Sequence, residues 1–306
     1  MAVQKEVWIN DVQENLFQGA EFILNGTDHS AFVSNSIVHV PQAGSASAVV
    51  KNRSSLPATI AQRTDADFTY PIDDYTTDPI LIKRIDEIQT SYAKRMSVMK
   101  DHIDGLNESI GLNVANAWAA DGGTVDVDRV FTTTGAATAD APTGSTQTPK
   151  RLLQEDIIKL AKKFDKDNIP SADRYLLLPV SMYYDLFNGS GNQAILRKDY
   201  LNATSIPTGV VDILYNFKIM IRPDVVLFPA ASTTKKAVGA APAITDVFGG
   251  IAWHKSAVAY AKEAINVYER ENNPEYYGAI ISAEVLMGSK LLRADFKGVA
   301  SIKQGV

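Results

Sequence analysis

Cysteine is absent from the 306 residues, which removes disulfide scaffolds, thiolate catalysis, iron–sulfur clusters and cysteine-ligated zinc together. Histidine is scarce. His29, His39, His102 and His254 are the whole set, and none has a second histidine at metal-ligand spacing. No apolar run approaches the ~20 residues that cross a bilayer. The first twenty residues lack the basic start and continuous apolar core of a signal peptide. A basic excess is missing too: 30 Lys and Arg stand against 35 Asp and Glu, for a net charge of −5. That is not the charge signature of a dedicated nucleic-acid reader.

Motifs that carry chemistry are equally sparse. There is no G-x-x-x-x-G-K-[ST], no G-x-S-x-G and no H-E-x-x-H. Gly189-Ser-Gly191 has no third glycine in register, and Gly122-Gly123 closes a helical pattern instead of opening one. Asp126-Val-Asp128 puts two carboxylates on one face of an expected strand, but without the glycine and terminal glutamate of a calcium loop it reads as solvated surface. Tyr183-Tyr184 and Tyr276-Tyr277 could stack on bases or sugars; lacking basic neighbours, they read as packing or subunit contacts. No catalytic residue, metal or cofactor is assigned. A non-enzymatic protein is the expectation, because an α+β enzyme would need a polar cluster that the pattern does not offer.

What the chain does contain is geometric. Residues 1–40 are acidic, with Lys5 against Glu6, Asp11, Glu14, Glu21 and Asp28, and read as an arm with short strands, including FIL at 22–24 and IVHV at 37–40. Residues 41–63 then carry Lys51, Arg53 and Arg63 with no acid, and residues 64–79 carry Asp65, Asp67, Asp73, Asp74 and Asp78 with no base. Short β-favouring runs (Ser47–Val50, Phe68–Ile72) interrupt the Gly, Ser and Pro, which predicts a long two-stranded ribbon. Such a ribbon has too little apolar face to stand alone, so it should lie on another surface, with its charge split as the matching element.

From Ile82, apolar residues recur in threes and fours through Ile85, Ile88, Tyr92, Met96, Met99, Ile103, Leu106, Ile110 and Val114 to Trp118. This spacing predicts one long helix with a narrow buried stripe, and a close contact or bend at Gly105 and Gly111. Further along, the pattern predicts a strand at Val125–Phe131, a helix at Lys150–Lys166, a buried strand at Arg174–Leu178 and a short helix at Ser181–Phe187. A loop-rich insertion at 188–209 follows, then strands at Val210–Leu214 and Phe217–Ile221 joined at Tyr215-Asn216. A loop at 229–250 precedes strands at Ala257–Ala261 and Tyr277–Leu286. The class is α+β, with loops too long for a doubly wound enzyme.

Three blocks of this pattern resemble the major capsid proteins of tailed bacteriophages with the HK97-type fold. The first runs from Tyr75-Thr-Thr-Asp-Pro79 to Trp118, with Tyr92, Lys94, Arg95, Ser97, Met99, His102 and Leu106 at the matching places. The second is Ile169–Val180 with Tyr183 and Leu186; the third is Ile251–Lys255 with Ala257 and Val258, leading to Pro274-Glu-Tyr-Tyr-Gly278 and Gly288. The resemblance implies an N-terminal arm at 1–40 and an extended loop at 41–79. It implies a peripheral domain with a spine helix at 80–149, an axial domain at 150–250 and return strands at 251–306. It further implies hexamers and pentamers of one chain closing into an icosahedral shell around double-stranded DNA, in the virion, after assembly in the bacterial cytoplasm.

Other implied partners are a portal protein at one vertex, a decoration protein and, because the arm begins near residue 1, a separate scaffolding protein; no membrane is involved. The inter-subunit contacts expected on this basis are Lys51, Arg53, Arg63, Asp65, Asp67, Asp73, Asp74, Lys94 and Arg95. Lys51 is the only lysine of the loop, and no catalytic carboxylate can be assigned to it, so paired charges rather than covalent links are expected to lock the shell. An encapsulin-like nanocompartment, which shares the fold, is the alternative; a soluble α+β enzyme is the less favoured one.

Overall fold

A computed structural model describes residues 18–34, 36–42, 49–54, 57, 60, 62, 66–83, 93–122, 127–137, 139–186, 213–273, 275–293 and 295–306. The elements begin with a 3₁₀ helix at Gln18–Asn25, followed by β1 (Thr27–Asp28), β2 (Val33–Ser34), β3 (Ile37–Gln42), β4 (Ala66–Pro71), β5 (Asp73–Thr76) and β6 (Ile80–Lys83). Helix α1 (Ala93–Trp118) comes next, then β7 (Val130–Thr132), α2 (Gln154–Lys166), β8 (Arg174–Pro179) and α3 (Val180–Asp185). The chain continues with β9 (Ile213–Leu214), β10 (Phe217–Arg222), β11 (Val226–Pro229), β12 (Asp246–His254), β13 (Val258–Asn273), β14 (Gly278–Leu291) and β15 (Val299–Lys303).

Three sheets result. The largest has the order β7-β15-β12-β8-β10-β9, with β11 on β12; the second is β1-β13-β14-β5, with β6 also on β14; the third is β2-β3-β4. Strand β8 lies inside the large sheet, parallel to β10 and antiparallel to β12, and all six of its residues are buried. A strand covered on both faces has no polar side, which is why Tyr-Leu-Leu-Leu reads as a continuous apolar run. Beside it, β9 and β10 form the expected hairpin at Tyr215-Asn216. Both turn residues have positive φ, the geometry of a primed turn whose twist matches the strands.

Helix α1 buries Ile103, Leu106, Ile110, Val114 and Trp118 and leaves Asp104 and Glu108 exposed. Its stripe packs on β14, whose Ile281, Ala283, Val285 and Met287 share one core with it. The same core takes in Tyr175, Phe228 and Ile251 of the large sheet. At its centre Trp253 stacks on Tyr175 (5.7 Å between centroids) and meets Trp118 and Phe22 at 5.5 and 6.2 Å. A second core joins Leu160 and Phe164 of α2 to Leu176, Leu178, Phe217 and Ile302.

Several expectations are corrected. The helix does not start at Ile82: Ile80–Lys83 is a strand paired antiparallel with Gly278–Ile281. Ile-Leu-Ile suits a pleated edge as well as it suits a helical stripe, and the free edge of β14 decides between them. The first described helical residue is Ala93, and 84–92 lies outside the described residues. The run at 22–24 is 3₁₀ helix because Phe22 and Ile23 turn inward onto the tryptophans. Val49 and Val50 form no strand among the described residues. The expected strand at 125–131 starts only at Val130, after a 3₁₀ turn at Val127–Arg129. The expected loop at 229–250 ends early, since β12 begins at Asp246. Its Gly249-Gly250 pair looks like a loop in sequence, but a Cβ there would lie 2.6 Å from Phe228 and 2.8 Å from Leu178, so glycine is what lets the strand pack. The final strands are longer than expected, sixteen and fourteen residues, and form one long hairpin. The insertion at 188–209 lies outside the described residues.

Candidate subunit-contact surfaces

In the body of the protein, buried charge is answered from within. Arg174, 1% exposed, donates to Asp165 at 2.7 Å and to the carbonyls of Ile169 and Pro170 at 2.6 and 2.8 Å. Arg129 meets Asp167 at 3.0 Å, and Lys236 meets Asp246 at 2.6 Å. Asp156, fully buried near the start of α2, accepts from the amide and hydroxyl of Thr134, from the Leu153 amide and from Lys159. Lys303 plugs into the carbonyls of Ala230 and Ser232 at 2.9 and 2.6 Å, and burial lowers its pKa. Lys235 donates to the carbonyls of Asn116 and Ala119 at the C-terminal end of α1, the negative end of the helix; burial lowers its pKa, against the pull of Asp121.

Gly111 answers the expectation of a close contact in α1. A Cβ there would run into the Arg222 guanidinium, which donates to the Glu108 carbonyl at 2.9 Å and lies over the Phe22 ring. Gly105 faces open space.

The β3–β4 ribbon is built differently. Its root is held by a small core in which Val38, Tyr70 and Ile72 meet Ala259 and Ala261 of β13. Lys290 adds a cation over the Phe68 ring and a hydrogen bond to the Thr69 carbonyl. Beyond the root little is covered. Val49 is 98% exposed, Ile60 is 97% exposed, and Val50 is half exposed. Lys51 and Arg53 are exposed around a turn whose Asn52 has φ +52°. Residues 49–54 thus present apolar and basic side chains together. Of the acidic limb, Asp67 pairs with His39 across the strands at 2.9 Å, both side chains being more than half exposed. Asp73 and Asp74 are exposed on β5, which belongs to the hairpin sheet. Arg63 and Asp65 lie outside the described residues, as do the side chains of Lys94 and Arg95 in the first turn of α1.

The hairpin sheet has two unlike faces. One packs on α1; the other, by strand alternation, carries Tyr268 of β13, Ser282 and Glu284 of β14, and Asp74 and Thr76 of β5. The Tyr268 hydroxyl donates to Glu284, and that bond, with the nearby Asp74 carboxylate, raises the tyrosine pKa. Toward the hairpin tip the same face carries Arg270 and Lys83. Tyr276 and Tyr277 at the tip are 53% and 81% exposed, and Tyr184 is exposed while Tyr183 is buried. Sequence reasoning missed Tyr268 and Glu284. The strand parity of 258–273 and 278–291 would have found them, had the lengths of those strands been legible.

Among the described residues no group of three or more His, Asp or Glu side chains could hold a metal ion, and no helix is long and apolar enough to cross a membrane. His254 bonds Ser256 at 2.8 Å, and His29 packs edge-on against Phe32; burial lowers the pKa of both. Asp128 sits in the 3₁₀ turn, and Asp126 lies outside the described residues.

At the sequence level no family model and no curated protein matches the chain. Solved structures do. The capsid of cyanophage P-SCSP1u superposes with a TM-score of 0.61 at 17% identity, covering 91% of this chain and 85% of that one. The mature capsid of bacteriophage PhiM1 gives 0.61 at 10% identity over 94% and 86%, and the capsid of Ralstonia phage GP4 gives 0.61 at 10% over 92% and 87%. The chain has the HK97-type capsid fold. The agreement extends over more than nine tenths of this chain in all three.

Proposed function

We propose that the chain is the major capsid protein of a tailed bacteriophage, a structural protein and not an enzyme. Copies assemble as hexamers and pentamers into an icosahedral shell that encloses double-stranded DNA. The observation that carries this reading is a capsid fold that covers more than nine tenths of the chain in three phage capsids. The exposed ribbon supports it, because nearly bare Val49 and Ile60 are costly on a monomer and useful on a subunit.

In this reading the ribbon lies over a neighbour's peripheral domain, and the 150–250 region faces the centre of each ring. The expected contacts are Lys51, Arg53, Arg63, Asp65, Asp67, Asp73, Asp74, Lys94 and Arg95. Each contact is weak in isolation, and a closed array holds because every subunit is tied at several places at once. A net charge of −5 suits a wall that confines DNA without binding it, since many inner cations would trap the genome by counterion release. Assembly takes place in the host cytoplasm with a separate scaffolding protein and a portal at one vertex, and a decoration protein completes the implied set.

Electron microscopy of the purified protein at high concentration tests the reading. Closed shells, or the tubes and sheets that the same contacts build, are the expected products. A uniform small oligomer under every assembly condition would overturn it.

A further inference from the structure

A serine and a histidine meet where the seven-stranded sheet passes into the long hairpin. The 3₁₀ turn Lys255–Ala257 joins β12 to β13, and His254, the last residue of β12, caps it. Ser256 is exposed, as are residues 171–173 nearby, while His254 is only 9% exposed. The Ser256 amide donates to His254 Nδ1 at 3.2 Å. An amide nitrogen can only donate, so Nδ1 carries no proton, and the Ser256 hydroxyl, 2.8 Å from the same nitrogen, is a donor too. The ring proton therefore sits on Nε2. The bond between the ring and the Ala172 backbone favours the protonated form, which makes it a donation from Nε2 to the Ala172 carbonyl. Burial, helped by Arg174, lowers the histidine pKa against the pull of Asp173 and keeps the ring neutral near pH 7. A serine hydroxyl on an unprotonated imidazole, with the opposite ring nitrogen fixed by a third group, is the pairing that activates serine nucleophiles. Capping the turn explains the amide bond; the exposed residue's hydroxyl on the same lone pair is what adds chemistry.

We propose that Ser256 is a nucleophile, with His254 as its general base and the Ala172 carbonyl holding the ring, and that it takes up one group from an activated acyl or phosphonyl donor. With a fluorophosphonate, the Ser256 Oγ–P bond forms as the P–F bond breaks. Fluoride leaves, and the hydroxyl proton passes to His254 Nδ1 and then to water. The site takes one group and stops. The Lys255 amide is bound to the Asp173 carbonyl at 3.1 Å and the Ser256 amide to the ring, so neither is free to stabilise the oxyanion that turnover requires. Stoichiometric modification of this kind suits a structural protein and does not depend on the shell-forming reading. The attached group would stand at the joint between the two larger sheets.

Labelling the intact chain with an alkyl fluorophosphonate, read by peptide mass spectrometry, tests the assignment. Ser171 is the internal reference, because it is exposed, lies next to Ala172 and has no hydrogen-bonded base among the described residues. A general base contributes about a hundredfold or more, so Ser256 should be labelled at least about tenfold faster than Ser171. His254→Gln keeps an acceptor for the turn but no base, and the ratio should fall to about one. Ser256→Ala should lose the adduct from its peptide.

Equal labelling of the two serines, or none of either, would overturn the proposal, and that comparison within the wild-type chain does not depend on any variant folding. Ser256 still ahead in His254→Gln would remove the histidine as base. An adduct left on the same peptide of Ser256→Ala would place the reaction on another side chain. Either of these results overturns the proposal as well.

Discussion

In the seven-stranded sheet and its flanking helices, Arg129, Arg174, Lys236 and Lys303 each find a carboxylate or a set of carbonyls inside the protein. In the ribbon, Lys51 and Arg53 stand in solvent beside nearly bare valine, and the one described ion pair, His39 with Asp67, is more than half exposed. The first region answers these charges within the single chain. The second has a root fastened to β13 and an outer part with apolar surface and charge still to be matched. Mutations in the two regions should therefore fail differently.

The largest contrast should come from Trp253. Its ring touches Tyr175, Trp118 and Phe22, and its indole N–H donates to the Asn25 carbonyl at 3.2 Å. Trp253→Ala should destabilise the protomer by about 3–5 kcal/mol, measured by urea unfolding of unassembled protein, because the surrounding core cannot close the cavity. A loss below about 1 kcal/mol would mean that the body is far more plastic than its packing indicates.

Asp185 sharpens the comparison through pH. Burial raises its pKa to about 6, against the Leu152 amide hydrogen bond and the Arg151 charge, with Asp140 adding to the rise. A carboxyl whose folded pKa lies above its unfolded value of 3.8 favours folding most below pH 3.8, and that contribution is lost as pH rises through about 6. Unfolding free energy should thus decline across this window by on the order of 1–3 kcal/mol from this group. Asp185→Asn should flatten the decline; an unchanged slope would assign it to other groups.

The smallest effect belongs to the ribbon. His39→Ala removes an exposed cross-strand pair and should alter protomer stability by no more than about 0.5 kcal/mol. Thermal unfolding of unassembled protein that shifted as much as in the tryptophan variant would erase the distinction between body and ribbon.

Local patterns carried much of the architecture into view. The apolar stripe of 103–118, the all-buried β8 and the Tyr215-Asn216 turn are each decided by residues within a few positions of one another, and each is found where the pattern puts it. Of the ribbon limbs, Phe68–Ile72 falls largely in β4, but the strand paired with it is β3, in the stretch read mostly as the arm, and Val49-Val50 form no strand among the described residues. The candidate contacts were half legible. Charge split singled out Lys51, Arg53, Asp73 and Asp74, whereas Glu284 and Tyr268 could be recognised as surface only once the register of β13 on β14 was known.

The sequence alone therefore determined the α+β class, the absence of thiol chemistry, the position of the main helical stripe and the opposite charges of the ribbon limbs. All of these follow from composition or from spacings of two to four residues. Tertiary structure decided that Ile80–Lys83 is a strand, that Gly249-Gly250 lies inside one, that Gly111 makes way for Arg222, and which face of the long hairpin is left bare. Those outcomes depend on partners about 20 to 200 positions away, and the free energy of a buried contact or a strand edge overrides a local preference of a few tenths of a kcal/mol per residue.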